Sequence, residues 1–140
     1  MIHTPYLSVD GIIRIFEGNL FQGIVLISRK NPPLGYAFPG GFVDVGERCE
    51  EALKREMMEE VSLHVTIRGL LGIYSDPTRD PRFHTASAVY VCDAFAPPIA
   101  ADDAKEAMVI LPQIAKEHTL VFDHQHILND YLKSDYHVLS

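Results

Sequence analysis

The chain opens with two apolar, β-branched runs, Leu7 to Phe16 and Phe21 to Ser28, separated by Glu17-Gly18-Asn19, whose glycine and asparagine suit a tight turn. This pattern predicts a β-hairpin. Asn31 to Gly46 then loses all periodicity and carries Pro32, Pro33, Gly35, Pro39, Gly40, Gly41 and Gly46, which predicts a loop able to bring its backbone close to a ligand. Between Cys49 and Val61 nearly every residue is a good helix former, so a helix is expected there. Val65 to Tyr74 and Thr85 to Phe95 read as strands around a polar loop, Ser75 to His84, and Pro97-Pro98 ends the second strand. An acidic loop, Ala101 to Glu106, leads into a short strand at Met108 to Leu111, and Asp123 to Lys133 is predicted as a C-terminal helix capped by Asp123. Strands on both sides of one central helix, with a second helix at the end, indicate an α/β or α+β layered domain. At 140 residues the chain is expected to form a single domain spanning 1–140.

The first helix holds the unusual feature. At about 100° per residue, Leu53, Met57 and Val61 define its buried stripe, yet Glu60 lies only about 20° from Leu53 and Glu56 about 60°, with Glu59 at the edge of the fan. Like charges three and four apart repel, and a carboxylate on an inward face loses hydration. Protonation, an arginine or a cation must compensate. A hard divalent ion fits best, because magnesium takes oxygen ligands and often uses only one or two carboxylates plus water and substrate phosphate.

Composition narrows the partners. Twelve Lys+Arg against nineteen Asp+Glu give a formal charge of -7, which excludes a bare basic grip on nucleic acid. Residues 41 to 60 alone contribute seven acids and three bases, so the acidity is concentrated where the helix lies. Such a patch can still capture a small diphosphate through bound cations. No stretch approaches the ~18 apolar residues of a membrane span, and Met1 to Tyr6 lacks a basic, apolar signal start, so a cytoplasmic protein without membrane contact is expected. Cys49 and Cys92 lack metal-ligand spacing and read as structural thiols.

The wider spacing is more specific than the helix. Gly41, Glu47, Arg55, Glu56, Glu59 and Glu60 stand at the fixed positions of G-x5-E-x7-R-E-U-x-E-E-x-G-U, with Met57 and Leu63 at the apolar sites. At roughly 7% per position, six such identities recur by chance on the order of 10⁻⁷ per starting point. Residues 41 to 63 resemble the signature box of the Nudix hydrolases, which cleave a nucleoside diphosphate linked to another group. Ser62 stands where the family has its last glycine, at a helix end that glycine enters cheaply; the expected cost is about 1 kcal/mol.

That resemblance implies a Nudix-like α/β/α sandwich with a mixed sheet between helices. It implies that Glu56 and Glu60 are metal ligands, that Glu59 is a ligand directly or through water, and that the Gly40 carbonyl adds an oxygen. Glu47 and Arg55 would pair and brace the loop-helix junction. Magnesium, with manganese as a substitute, would bridge the diphosphate and acidify an attacking water. Either Glu106, in the acidic loop, or Glu56 would be the general base. Ser75 to His84 is similar to the S-D-P-x-R-D-P-R-G-H segment of a subgroup containing small microbial ADP-ribose pyrophosphatases, and Val121-Phe122-Asp123-His124 looks like that subgroup's C-terminal element. By that likeness Arg79 and Arg82 would hold the diphosphate. Phe83 replaces the subgroup's glycine and adds bulk beside the substrate, Tyr36 or Phe38 could stack on adenine, with core packing favoured for Phe38, and His84 is expected to order its loop. The reaction implied is ADP-ribose to AMP and ribose 5-phosphate by a homodimer. Alternatives are another dinucleotide, nucleotide sugar or oxidised nucleoside triphosphate as substrate, or a non-catalytic ADP-ribose sensor.

Overall fold

The computed structural model describes residues 1–138. The predicted hairpin is β1 (Tyr6–Glu17) and β2 (Leu20–Arg29), and the predicted helix α1 occupies Cys49–Val61. Within the expected loop lie two short strands, β3 (Tyr36–Ala37) and β4 (Gly40–Phe42). Their pairing is tertiary: β3 completes β2 and β4 completes β1, which a local pattern cannot show. Strands β5 (Thr66–Tyr74) and β6 (Thr85–Ala94) follow, then β7 (Ala104–Ile110), a single-turn helix α2 (Pro112–Ala115) and α3 (His124–Lys133). Strand β7 begins two residues before Glu106 and pairs Glu106 with Ser28, so the acidic loop ends earlier than expected. Pairing with β2 overrides the poor strand propensity of its charged start.

The sheet is mixed: β1 and β6 run parallel from Tyr6↔Thr85 to Ile15↔Ala94, whereas the other strand pairs are antiparallel. Side chains alternate across it with period two. Val9, Ile13 and Ile15 of β1, with Ala88, Tyr90 and Cys92 of β6, pack under Leu53, Met57 and Val61 of α1. On the opposite face Ile12, Val89 and Val91 meet Ile127, Leu128 and Tyr131 of α3. Both faces are covered, which explains why β6 is buried along nearly its whole length. The result is the expected sandwich, with Cys92 inside it.

One edge of β1 is shared between two partners. Residues Ser8–Asp10 pair with β4, and Arg14–Glu17 pair with β2. The glycine-rich strand thus lies against the N-terminal half of β1, beside α1, where it forms one wall of the site.

Helix α1 ends in the left-handed conformation anticipated from its sequence. Ser62 has φ 59°, its N–H bonds to Met58 O at 3.1 Å, and its hydroxyl donates to Ile99 O at 3.2 Å. The start of α3 differs from expectation. Asp123 occupies the cap position but makes no cap hydrogen bond, because both its oxygens accept from Arg79 instead. A bidentate, charge-assisted pair outcompetes a single bond to a backbone N–H.

Candidate active site

A cavity of about 230 Å³ opens beside β4 and α1; Asp10, Gly40, Gly41 and Glu56 lie on one side, and Arg79, Arg82, Phe122 and His124 on another. The twin glycines are required by close approach. A Cβ on Gly41 would collide with the Glu56 carboxylate, and one on Gly40 would collide with the carboxylate of Asp10 and the carbonyl of Val9.

The acids divide by their relation to Arg55. On the helix wheel Arg55 points away from Leu53, and it reaches back to the loop: Nε and Nη2 donate to Glu47 at 2.8 and 2.9 Å, and Nη2 also donates to Phe42 O at 2.9 Å. Its hydrogen bonds hold Glu47 well below the usual carboxylate range, at about 2. Nη1 donates to Glu56 at 2.9 Å and to Glu59 at 3.2 Å. Glu60 is different. It is 5% exposed, and among the described residues no basic group lies within ion-pair distance of it. Burial first, then the charges of Glu56, Asp10 and Asp103, push its carboxyl up to about 8. Burial also raises Glu56, against the pull of Arg55.

This donor set fits a hard divalent cation: the cluster offers oxygen only, its charges are undercompensated, and two glycines clear space beside the carboxylates. Among the described residues no three of these side chains form a finished metal cage, since Glu56 and Glu59 turn toward Arg55. Repulsion between uncompensated carboxylates favours that arrangement.

Across the cavity the arginines are neutralised by carboxylates. Arg79, its side chain 4% exposed, donates to Asp123 at 2.9 and 2.8 Å and to the Thr85 hydroxyl at 2.7 Å. Arg82 makes a two-pronged pair with Asp80 at 3.0 and 2.8 Å and stays partly exposed at the cavity. His124 accepts the Phe38 N–H on Nδ1 at 3.0 Å, and its Nε2 faces Asp10 at 3.8 Å. Burial holds His124 neutral by lowering its pKa to about 3, while Asp10, also buried, is lifted to about 6 despite a hydrogen bond from Ser87.

Other residues singled out in the sequence lie elsewhere. Glu106 is exposed on β7, outside the cavity lining. Tyr36 is half-buried with its ring edge-on to His118 at 5.1 Å, and it too is outside the lining. Phe38 is core, stacked on His124 at 5.3 Å. Phe83 joins Tyr6 and Phe42 in an exposed aromatic trio, with rings 4.7 and 5.9 Å away, so its bulk borders the cavity through Phe42. His84 ties its loop to Ser75 O at 2.9 Å.

Several cavity residues have no role assigned from the sequence, among them Asp10, Arg29 and Asp103. Asp10 carried a signal, a lone acid inside an apolar strand run. Arg29 carried none, since it ends an ordinary apolar segment and meets Phe122 only in the fold, whereas Phe122 stands in the C-terminal element that the subgroup likeness marks.

Comparison with known proteins identifies the family. The NUDIX domain profile matches residues 5–131. An ADP-ribose pyrophosphatase of Methanocaldococcus jannaschii is 44% identical over 136 residues, covering 92% of this chain and 74% of that protein. Among solved structures, a MutT/nudix family protein from Enterococcus faecalis superposes with a TM-score of 0.80 at 28% identity, covering 95% of this chain and 62% of its own. A bifunctional NMN adenylyltransferase/ADP ribose pyrophosphatase from Francisella tularensis gives 0.78 at 25%, covering 96% of this chain and 42% of its own. A profile matched over nearly the whole chain, with the carboxylate helix and glycine strand in place, establishes that the chain belongs to the NUDIX family.

Proposed function

We propose that this chain hydrolyses ADP-ribose to AMP and ribose 5-phosphate with magnesium, or manganese in its place. The observation that carries the reading is the pair of desolvated carboxylates on α1: Glu56, which lines a cavity that also holds arginines, and Glu60, buried with no basic group within ion-pair distance among the described residues. The likeness to an ADP-ribose pyrophosphatase over 92% of the chain supports the substrate. Glu56, Glu60 and the Gly40 carbonyl would hold the cation, with Glu59 joining directly or through water. The cation supplies neutralisation of the diphosphate and a more acidic attacking water.

The chain's own groups do the rest. Glu47 and Arg55 brace the loop against α1 and so keep the Gly40 carbonyl beside the acids. Arg82 presents its partly exposed guanidinium to the substrate's phosphates, and Arg79 shapes the wall behind it. Glu56 would accept the proton of the attacking water, because it lines the cavity. Glu106, exposed on β7, leaves the base role to Glu56.

Purified protein with ADP-ribose and magnesium should release AMP, and chelation or Glu60→Gln should stop it. Comparable kcat/KM for nucleotide sugars, a dinucleotide cofactor or an oxidised nucleoside triphosphate would shift the substrate within the same chemistry. Binding of ADP-ribose without turnover would make the protein a sensor. A homodimer in the cytoplasm completes the reading, and light scattering measures the mass; among the described residues no helix is long and apolar enough to cross a membrane.

A further inference from the structure

Arg29 ends β2 half-buried in the cavity lining, and unlike Arg79 and Arg82 it has no carboxylate within ion-pair distance among the described residues. Its Nε donates to Pro33 O at 2.8 Å, which fixes the stem and leaves both terminal nitrogens uncommitted. The guanidinium lies over the Phe122 ring, 5.0 Å from the centroid, and Arg82 lies over the same ring at 5.5 Å. Two like charges gathered on one aromatic shelf repel. They lower the cost of a dianion arriving between them.

Phe122 is held there against its own backbone preference. Its φ is 58°, in the left-handed region that a residue with a Cβ enters only at a cost. The neighbours on each side are tied down. The Val121 N–H bonds to Tyr36 O at 2.9 Å, Gly35 leaves room for the Val121 side chain, Asp123 grips Arg79, and His124 takes the Phe38 N–H. The Phe122 ring lines the cavity, and such strain persists where the surrounding structure over-determines it.

We propose that Arg29 binds the diphosphate of the substrate and that Phe122 is the positioning residue that aims it, with Arg82 as the second prong. Planar guanidinium donors suit a phosphate edge, and laying one on an aromatic ring removes much of the rotamer entropy that binding would otherwise cost. The substrate identity rests on the reading above; the clamp itself needs only a diphosphate.

The test pairs kinetics with a ligand that is not ADP-ribose. In Arg29→Gln, KM for ADP-ribose should rise about tenfold or more while kcat changes by less than about threefold. Affinity for inorganic pyrophosphate in magnesium, read by calorimetry, should weaken by a similar factor. Arg29→Lys, which keeps the charge without the planar fork, should recover part of both, and Phe122→Leu should raise KM by a smaller factor with an unchanged melting temperature. Unchanged KM and pyrophosphate affinity in folded Arg29→Gln would overturn the clamp. So would an equal loss of kcat and melting temperature in all three variants, since that marks a structural role. Wild-type protein that binds pyrophosphate through Arg29 yet leaves ADP-ribose intact would overturn the substrate and keep the clamp.

Discussion

The walls of the cavity are charged in opposite senses, and they solve the problem of buried charge in opposite ways. On the arginine wall each of Arg79 and Arg82 is locked to its own aspartate, Asp123 or Asp80. Around α1, whose Glu56 lines the acid side, Arg55 satisfies Glu47 and partly satisfies Glu56 and Glu59, but among the described residues Glu60 has no cation within ion-pair distance. Paired ions make a rigid scaffold that needs no ligand; an unpaired buried acid stores a cost that a bound cation relieves. One wall is built for geometry and the other for binding. Arg29 is the counterpart of Glu60 on the basic side, among the described residues the one cavity arginine without a carboxylate within ion-pair distance.

The largest effect that would break this contrast is on catalysis. Glu60→Gln should lower kcat/KM for ADP-ribose by more than about a hundredfold. The same change should raise the melting temperature of metal-free protein at pH 9, because it removes an uncompensated buried charge. A variant that is both active and less stable would show that Glu60 is a structural acid.

Next in size is the loss of a brace. Arg79→Met should destabilise the fold by about 3–5 kcal/mol in urea denaturation, since it strands Asp123 in a partly buried site. An unchanged denaturation midpoint would mean that this wall does not depend on its pairs.

The walls should also titrate in opposite directions. Glu60 is raised from its ordinary 4.5 to about 8, so the folded state binds the extra proton between those values and metal-free stability falls as pH rises through that window. His124 is lowered from 6.5 to about 3, so here the unfolded state binds the extra proton and stability falls as pH drops through 6.5 toward 3. Melting temperatures of chelated protein should therefore peak between about pH 4.5 and 6.5, from these two groups. Magnesium should flatten the alkaline limb and leave the acid limb alone. An acid limb that also flattens with metal would separate His124 from its assigned wall.

Smallest is the helix end beside the acid wall. Ser62→Gly should stabilise by about 0.5–1 kcal/mol by relieving φ 59°, offset by the lost bond to Ile99 O, with hydrolysis unaffected. A drop in activity would show that the Ser62 backbone helps to hold Glu60.

Local features proved legible wherever one physical constraint acts along the chain. Helix α1 could be bounded at Cys49 and Val61 because propensity and the Leu53, Met57 and Val61 stripe agree. Its acids could be set apart because three or four residues of spacing place them on one side. Strands β3 and β4 could not be seen, since a strand of two or three residues exists only through its partner. Asp123 was misjudged as a cap for the same reason: the residue that captured it is 44 positions away.

By itself, then, the sequence determined the layered fold, the acid-bearing helix, the glycine-rich segment before it and the family to which they belong. Those follow from periodicity and fixed spacing, which are properties of neighbours on the chain. Only the tertiary structure decided which charges are paired and which are left open. It joined Arg79 to Asp123 and set Arg29 over Phe122, contacts between residues 44 and 93 positions apart. Whether a charge is available to a ligand depends on burial and on the nearest opposite charge, and neither is a property of the chain until it folds.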